Sequence, residues 1–277
     1  MLSEPGDFGN GIRSTQSRLS WRIKVGVGFR CLAKAIEFMS LAFPHPHELI
    51  EQNRRRYHNP SNVEVLTKAK ADLNVLESRA LDKFVSKSGQ ALVLGCGGGR
   101  ETIALAERGW HVVAVDQIQV LVDGVRNRIQ DSDLNHSIEL QCRDVTQSFS
   151  FDHSFDLICL LGGPYNFIPS KRLRIKVLSD CRAYLTPAGV CLLNVWFYSS
   201  TSSHQKHLAH KLRKIAAWIF RGNTECEIGD QWQGDSFCHH FSSMEEIIEE
   251  IRAAGFKIKG AEEEKGSSIL ALGIAES

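Results

Sequence analysis

A chain of 277 residues, 43% hydrophobic and 23% charged, holds enough apolar material for one large core, or for a core with a smaller cover. Lysine plus arginine (33) almost balances aspartate plus glutamate (32), so the formal charge of +1 excludes an overall basic field for nucleic acid or anionic lipid. The eight cysteines are scattered without a C-x-x-C pair, which argues against zinc and redox motifs and predicts a reduced, cytoplasmic protein.

The first residues carry Glu4 and Asp7 without an apolar signal core, and no apolar run approaches the ~20 residues that cross a bilayer. Export and membrane spanning are therefore not expected. Trp21, Ile23, Val25, Val27 and Phe29 alternate as in a strand, whereas Leu32, Ile36, Met39 and Phe43 are spaced as in a helix up to Pro44. The stretch reads as mostly helical. A second helix is predicted over 48–57 and a third over 63–85, ending near Gly89. Residues 1–88 are thus expected to form a helical cap over the ligand edge of a sheet.

From Ala91 onward short apolar runs alternate with helical periodicities, the pattern of a parallel sheet covered on both faces. Strands are predicted at 91–94, 111–115, 137–141, 156–160, 190–196, 256–259 and 268–274. Helices fall between them, one capped by Ser170 with Leu173, Val177, Leu178 and Cys181 inward, and one starting at the capping boxes of Ser242 to Glu246 and stopping at Gly255. The turn Thr186-Pro187-Ala188-Gly189 is expected to precede the fifth strand. The fold class is α/β: a doubly wound, seven-stranded, mostly parallel sheet spanning 89–277.

Residues 198–241 interrupt this series as an inserted lid or substrate segment. Within it Leu208, Leu212, Ile215 and Ile219 make an apolar stripe, surrounded by Lys206, Lys211, Arg213, Lys214 and Arg221. Three readings stand: a solvated lid whose stripe packs onto the sheet, recruitment of an anionic or lipid-like acceptor, or peripheral membrane contact through 206–221 anchored by Trp218 and Phe220.

Ala91-Leu92-Val93-Leu94 runs into Gly95-Cys96-Gly97-Gly98-Gly99 and then a helix. Glycines let the backbone take positive φ and approach a ligand, while free N–H groups at the helix start favour polar or negative atoms. Three alternating glycines exceed what a tight βα turn requires. Asp116 ends the next strand, twenty-one positions after Gly95, where its carboxylate can accept hydrogen bonds from both hydroxyls of a ribose. A dinucleotide fingerprint would need a small residue at position 100, where this chain has Arg100.

The G-x-G-x-G spacing of Gly95, Gly97 and Gly99 resembles the first motif of class I S-adenosylmethionine-dependent methyltransferases, and the resemblance runs over roughly 89–275. Cys142-Arg143-Asp144-Val145 is similar to the segment whose acidic residue meets the adenine amino group. Leu185-Thr186-Pro187-Ala188-Gly189 resembles the turn before the fifth strand, and Ala253-Ala254-Gly255-Phe256 the junction into a closing antiparallel pair. The resemblance implies a small-molecule methyltransferase with an antiparallel C-terminal strand and S-adenosylmethionine as cofactor. It assigns Asp144 to the adenine and expects Cys96, Gln117, Val145 and Leu161 along the cofactor. The family often has an acid two positions before the first glycine, where this chain has Val93; Glu101 or main-chain carbonyls beyond the fourth strand are the candidate acceptors for the cofactor's ammonium instead.

The loop Leu161-Gly162-Gly163-Pro164-Tyr165-Asn166-Phe167 lacks the polar first residue with which amino-methylating enzymes hold an exocyclic amine, so nucleobase methylation and nucleic-acid partners are not expected. Tyr165 and Asn166 are candidates for the acceptor pocket. His239 and His240 precede the last capped helix; His240, with Tyr165, is the candidate catalytic group, and His239 a candidate substrate contact. Tyr57 and His58 are weaker candidates, and His45 and His47 lack the carboxylate or cysteine company of a metal site, so no metal is predicted. The expectation is methyl transfer to oxygen or nitrogen of a small-molecule or lipid-like acceptor. The alternatives are an NAD(P)-dependent oxidoreductase and a catalytically silent binding or scaffold protein of the same fold.

Overall fold

The structure is a computed structural model that describes residues 19–198, 203–264 and 266–275, with the side chains at 19–24 and 203–206 excepted. Four helices come first: α1 (Leu19–Ser40), α2 (Pro46–Tyr57), α3 (Pro60–Thr67) and α4 (Val75–Phe84). Helical spacing therefore wins over the alternation at 21–29; Glu4, Asp7 and the side chains of Trp21, Ile23 and Lys206 lie outside the described residues. The single helix predicted over 63–85 is two, because Asn74 opens the second one. Its side chain accepts from Glu77 N at 2.9 Å while the Glu77 carboxylate accepts from Asn74 N at 2.8 Å.

The sheet elements follow: β1 (Gln90–Leu94), α5 (Arg100–Ala106), β2 (His111–Asp116), α6 (Gln119–Ile129), β3 (Ile138–Cys142), β4 (Phe155–Leu160), α7 (Lys171–Tyr184) and β5 (Leu185–Trp196). After β5 come α8 (Ser203–Ile219), β6 (Asp230–Gln233), β7 (Ser236–His239), α9 (Met244–Ala253), β8 (Phe256–Glu264) and β9 (Ser267–Ile274). Among the described residues seven strands form one sheet in the order β3-β2-β1-β4-β5-β9-β8. β9 is antiparallel to both neighbours and the other pairings are parallel. This is the doubly wound sheet with the expected antiparallel C-terminal strand.

Alternation along β1 sends Leu92 and Leu94 into one apolar layer, beneath α7 and α9, and Ala91 and Val93 into the other, beneath α4 and α5. Strand order reverses between β1 and β4, so the carboxyl ends of these two strands open a crevice. The turn expected before the fifth strand lies inside β5: Leu185 pairs with Phe155 and Val190 with Leu157, so the intervening residues are looped out as a bulge.

The inserted segment departs most from expectation. It contains an antiparallel hairpin, β6 with β7, turning at Gly234 with φ +66°. The stripe on α8 does not pack on the sheet: Leu208, Leu212, Ile215 and Ile219 are each more than half exposed. The inward face carries Arg213 and Ala217, both fully buried. Arg213 lies 4.1 Å from the Phe38 ring centroid and donates to the Glu227 carbonyl, a polar anchor that turns the apolar stripe outward.

Candidate active site

A cavity of about 390 Å³ lies at the carboxyl ends of β3, β2, β1 and β4. Its floor is the turn Gly95 to Gly99. Gly97, at φ +50°, has open space where a Cβ would stand, so the backbone itself faces the cavity. Asp116, at the end of β2, steadies the turn: Oδ2 accepts from Gly97 N at 2.8 Å and Oδ1 from Ile118 N at 2.9 Å. Burial pushes its carboxyl up, and these amide bonds oppose the shift. At the end of β3, Asp144 Oδ1 accepts from Thr146 N at 2.8 Å and Thr146 Oγ1 at 2.7 Å, which fixes the side chain at the cavity wall.

The N-terminal helices supply the roof. Gly98 packs so tightly beneath α3 that a Cβ would stand 2.2 Å from the Leu66 carbonyl oxygen. Arg128 of α6 donates to Gly98 O at 2.6 Å and to Ala69 O at 3.1 Å, tying floor to roof. Arg100 holds the next stretch, donating to both Glu77 oxygens at 2.7 Å, to Asp72 O at 2.9 Å and to Glu101. Glu101 lines the cavity with only 8% of its surface exposed, and burial pushes its carboxyl up to about 7 against the pull of Arg100. From α2, Ile50, Asn53 and Tyr57 face the same space. Asn53 bridges three elements, donating to Phe167 O at 3.1 Å and accepting from Phe237 N at 2.8 Å.

Residues 91–189 match a family model described as a methyltransferase domain. That stretch is similar to a methyltransferase domain. The match covers β1 through the start of β5, the half of the sheet that forms the cavity floor. Among curated proteins, the chain is 32% identical over 103 residues to a cypemycin N-terminal methyltransferase of Streptomyces sp (37% of this chain, 40% of the relative). It is 29% identical over 118 residues to a ubiquinone biosynthesis O-methyltransferase of Coxiella burnetii (42% and 48%). The chain thus spans less than half the length of these curated relatives. Among solved structures it resembles the CcbJ methyltransferase of Streptomyces caelestis, with a TM-score of 0.57 and 12% identity over 77% of this chain and 96% of that one. A SAM-dependent methyltransferase of Methanosarcina mazei gives 0.54 and 18% over 74% and 100%. At such identities these two likenesses establish the fold.

The sheet gathers nine of the residues singled out in the sequence around one cavity: Gly95, Cys96, Gly97, Asp116, Gln117, Asp144, Val145, Leu161 and the acidic candidate Glu101. Gly99 stands just behind, packed against Val125 as α5 begins. Val93 is buried in the apolar layer beneath α5, where an acid would have no room to reach the cavity without displacing that packing.

Four other candidates are placed elsewhere. Tyr165 is fully buried and its hydroxyl donates to Glu250 Oε2 at 2.6 Å, a bond that aims it into the layer beneath α9. Asn166 is equally buried and donates to His239 O at 2.8 Å. His239 sits between Asp230 Oδ1, at 2.8 Å from Nδ1, and Glu246 Oε1, at 3.4 Å from Nε2. His240 packs edge-on against Trp196 and Tyr198 with Nδ1 2.9 Å from Gln231 Nε2, and burial lowers its pKa. None of the four lines the cavity. Their positions support the fold between the β4 loop, the hairpin and α9.

Of the two cap residues weighed in the sequence, Tyr57 lines the cavity, edge-on to Phe167 at 6.0 Å, whereas His58 is exposed and bonds back to Arg54 O at 2.9 Å. Burial pushes the Tyr57 phenol up, so it stands as a hydrogen-bond donor. Ile50 and Asn53 escaped the sequence reading, although their spacing with Tyr57 (i, i+3, i+7) marks one face of α2. His45 and His47 stack on each other, centroids 5.8 Å apart, in an outer groove next to Gln117 and Asp144.

Proposed function

We propose that this protein transfers a methyl group from S-adenosylmethionine to an oxygen or nitrogen of a small molecule. The observation that carries the reading is the cavity: across the sheet, an acid at the end of each of the neighbouring strands β3 and β2, then open glycine backbone at Gly97 after β1, then an aromatic wall after β4. The open space at Gly97 and the buried acceptor Asp116 suit a ribose-bearing ligand.

When bound, S-adenosylmethionine supplies an activated methyl group on a sulfonium. In this reading Asp116 accepts hydrogen bonds from ribose hydroxyls, Asp144 and Val145 meet the adenine, Cys96, Gln117 and Leu161 line the ligand's length, and Glu101 faces its ammonium. Tyr57, Asn53 and Phe167 then bound the acceptor side. Residues 1–88 and 198–241 form the cover that selects the acceptor. The apolar lining by Ile50, Phe167 and Ile168 suits an acceptor with an apolar ring or chain. Because His239 and His240 stand apart from the cavity, rate acceleration rests on holding an acceptor lone pair in line and excluding water, an effect that reaches ~7–11 kcal/mol. The relatives named for an N-terminus and for ubiquinone biosynthesis O-methylation are consistent with either acceptor atom.

Calorimetry with S-adenosylmethionine and with NAD is the first test. Binding of the former alone is expected, and Gly97→Val should abolish it by filling the open space. NAD binding without S-adenosylmethionine binding would overturn the proposal in favour of an oxidoreductase. Labelled methyl transfer to small-molecule fractions of a lysate is the second measurement. Tight cofactor binding with no labelled product from any fraction would instead identify a silent binding protein.

A further inference from the structure

Most of the exposed large apolar side chains among the described residues gather on two helices that the cavity does not use. Phe29, Leu32 and Ile36 on α1, and Leu212, Ile215 and Trp218 on α8, are each more than half exposed. Both helices repeat one spacing, 25-29-32-36 on α1 and 208-212-215-219 on α8, so each presents a continuous stripe about three turns long. Their C-terminal ends are fastened together: Asn223 N donates to Ala42 O at 2.7 Å, and the Phe43 and Phe220 rings lie 5.5 Å apart. Arg213 adds the contact with Phe38 described above. A monomer rarely leaves this much contiguous apolar surface to water without a use for it.

Charge identifies the occupant. Arg30, Lys34, Lys211, Lys214 and Arg221 are exposed on or beside these helices, whereas Glu37 is the one carboxylate among their described side chains. The excess is local, because the whole chain carries a formal charge of only +1. A second copy docked stripe to stripe would set these cations against their own kind. Residues 1–18 contain only Met1, Leu2, Phe8 and Ile12 as large apolar residues, too few to cover two stripes. No described helix is long and apolar enough to cross a membrane. We propose that α1 and α8 together form a surface that lies on an anionic lipid bilayer, with the stripes at the acyl boundary and the cations among the headgroups.

Sedimentation of the full chain with vesicles tests this surface separately from methyl transfer. Vesicles of phosphatidylcholine containing phosphatidylserine should carry the protein down, pure phosphatidylcholine should not, and salt at about 0.5 M should release it. The double variant Leu212→Ser/Ile215→Ser should bind at least about tenfold more weakly, with unchanged melting temperature and S-adenosylmethionine affinity, since both side chains are exposed. Tryptophan emission should shift to the blue on adding anionic vesicles, and the shift should shrink in Trp218→Phe. Failure to sediment with either vesicle would overturn the proposal, as would equal binding to both. A dimer in light scattering that the double variant converts to monomer would assign the face to a second copy instead.

Discussion

Glu101 carries a conflict between stability and binding. Its folded carboxyl is raised to about 7 from an ordinary 4.5, with burial as the main cause. Folding therefore favours its protonated form: the contribution is fully present below pH 4.5 and is lost as pH rises through 7. Glu101→Gln should accordingly raise the melting temperature of the ligand-free protein at pH 8 and leave it nearly unchanged at pH 4.5, as differential scanning calorimetry would register. Ligand affinity should run the other way. If Glu101 faces the ammonium, S-adenosylmethionine binding weakens by up to about tenfold for each pH unit below 7, and the Gln variant binds weakly without that slope. At this scale the sequence was most legible where chemistry demands a residue type. The glycines and Asp116 announce a ligand because backbone approach and acceptor placement leave few alternatives. Tyr165, Asn166, His239 and His240 misled because a polar side chain near a ligand edge looks the same whether it meets a ligand or a buried partner.

Helix α2 shows how one side chain can hold an element. Asn53, only 3% exposed, satisfies a carbonyl of the β4 loop and an amide of β7. Asn53→Ala would leave both buried groups unpaired, at a cost of about 1–3 kcal/mol. Hydrogen exchange should quicken over residues 46–57. The KM for the acceptor should rise while cofactor affinity changes little, because Asp116 and the glycine turn stay in place. Among elements, the sheet strands were legible because buried parallel strands are nearly continuous apolar runs. The β6–β7 hairpin was not: Asp230, Gln231, Gln233 and Ser236 obscure any alternation, and Asp230 is satisfied within the hairpin, by His239 on the facing strand. Helix α8 displays its apolar face in the sequence, but periodicity cannot say whether that face turns inward. Arg213 decides it by binding carbonyls that only the folded insert brings near.

Across the molecule, Arg174 joins parts that are far apart in sequence. Fully buried on α7, it bonds Glu250 of α9 at 2.6–3.2 Å and Glu227 of the insert at 2.8 Å, and lies 5.4 Å from the Phe241 ring centroid. Tyr165 completes the cluster through Glu250. Arg174→Met would strand the Glu250 carboxylate in an apolar layer and should cost about 3–5 kcal/mol in urea unfolding. Adding Glu250→Leu should restore much of that loss, because the fully buried carboxylate then leaves with its partner. Such long-range pairings are invisible to local pattern, which is why the fastening of the insert to α7 and α9 could not be read from the sequence.

The two partners of Asn53 also set an order of events. They lie 114 and 184 residues further along the chain, so a nascent polypeptide holds α2 long before either surface it seals against has been synthesised. Contacts of that span are slow to close and come after local structure. The roof, written first, is therefore sealed late: the bond from Phe237 to Asn53 can close only once the β6–β7 hairpin has emerged.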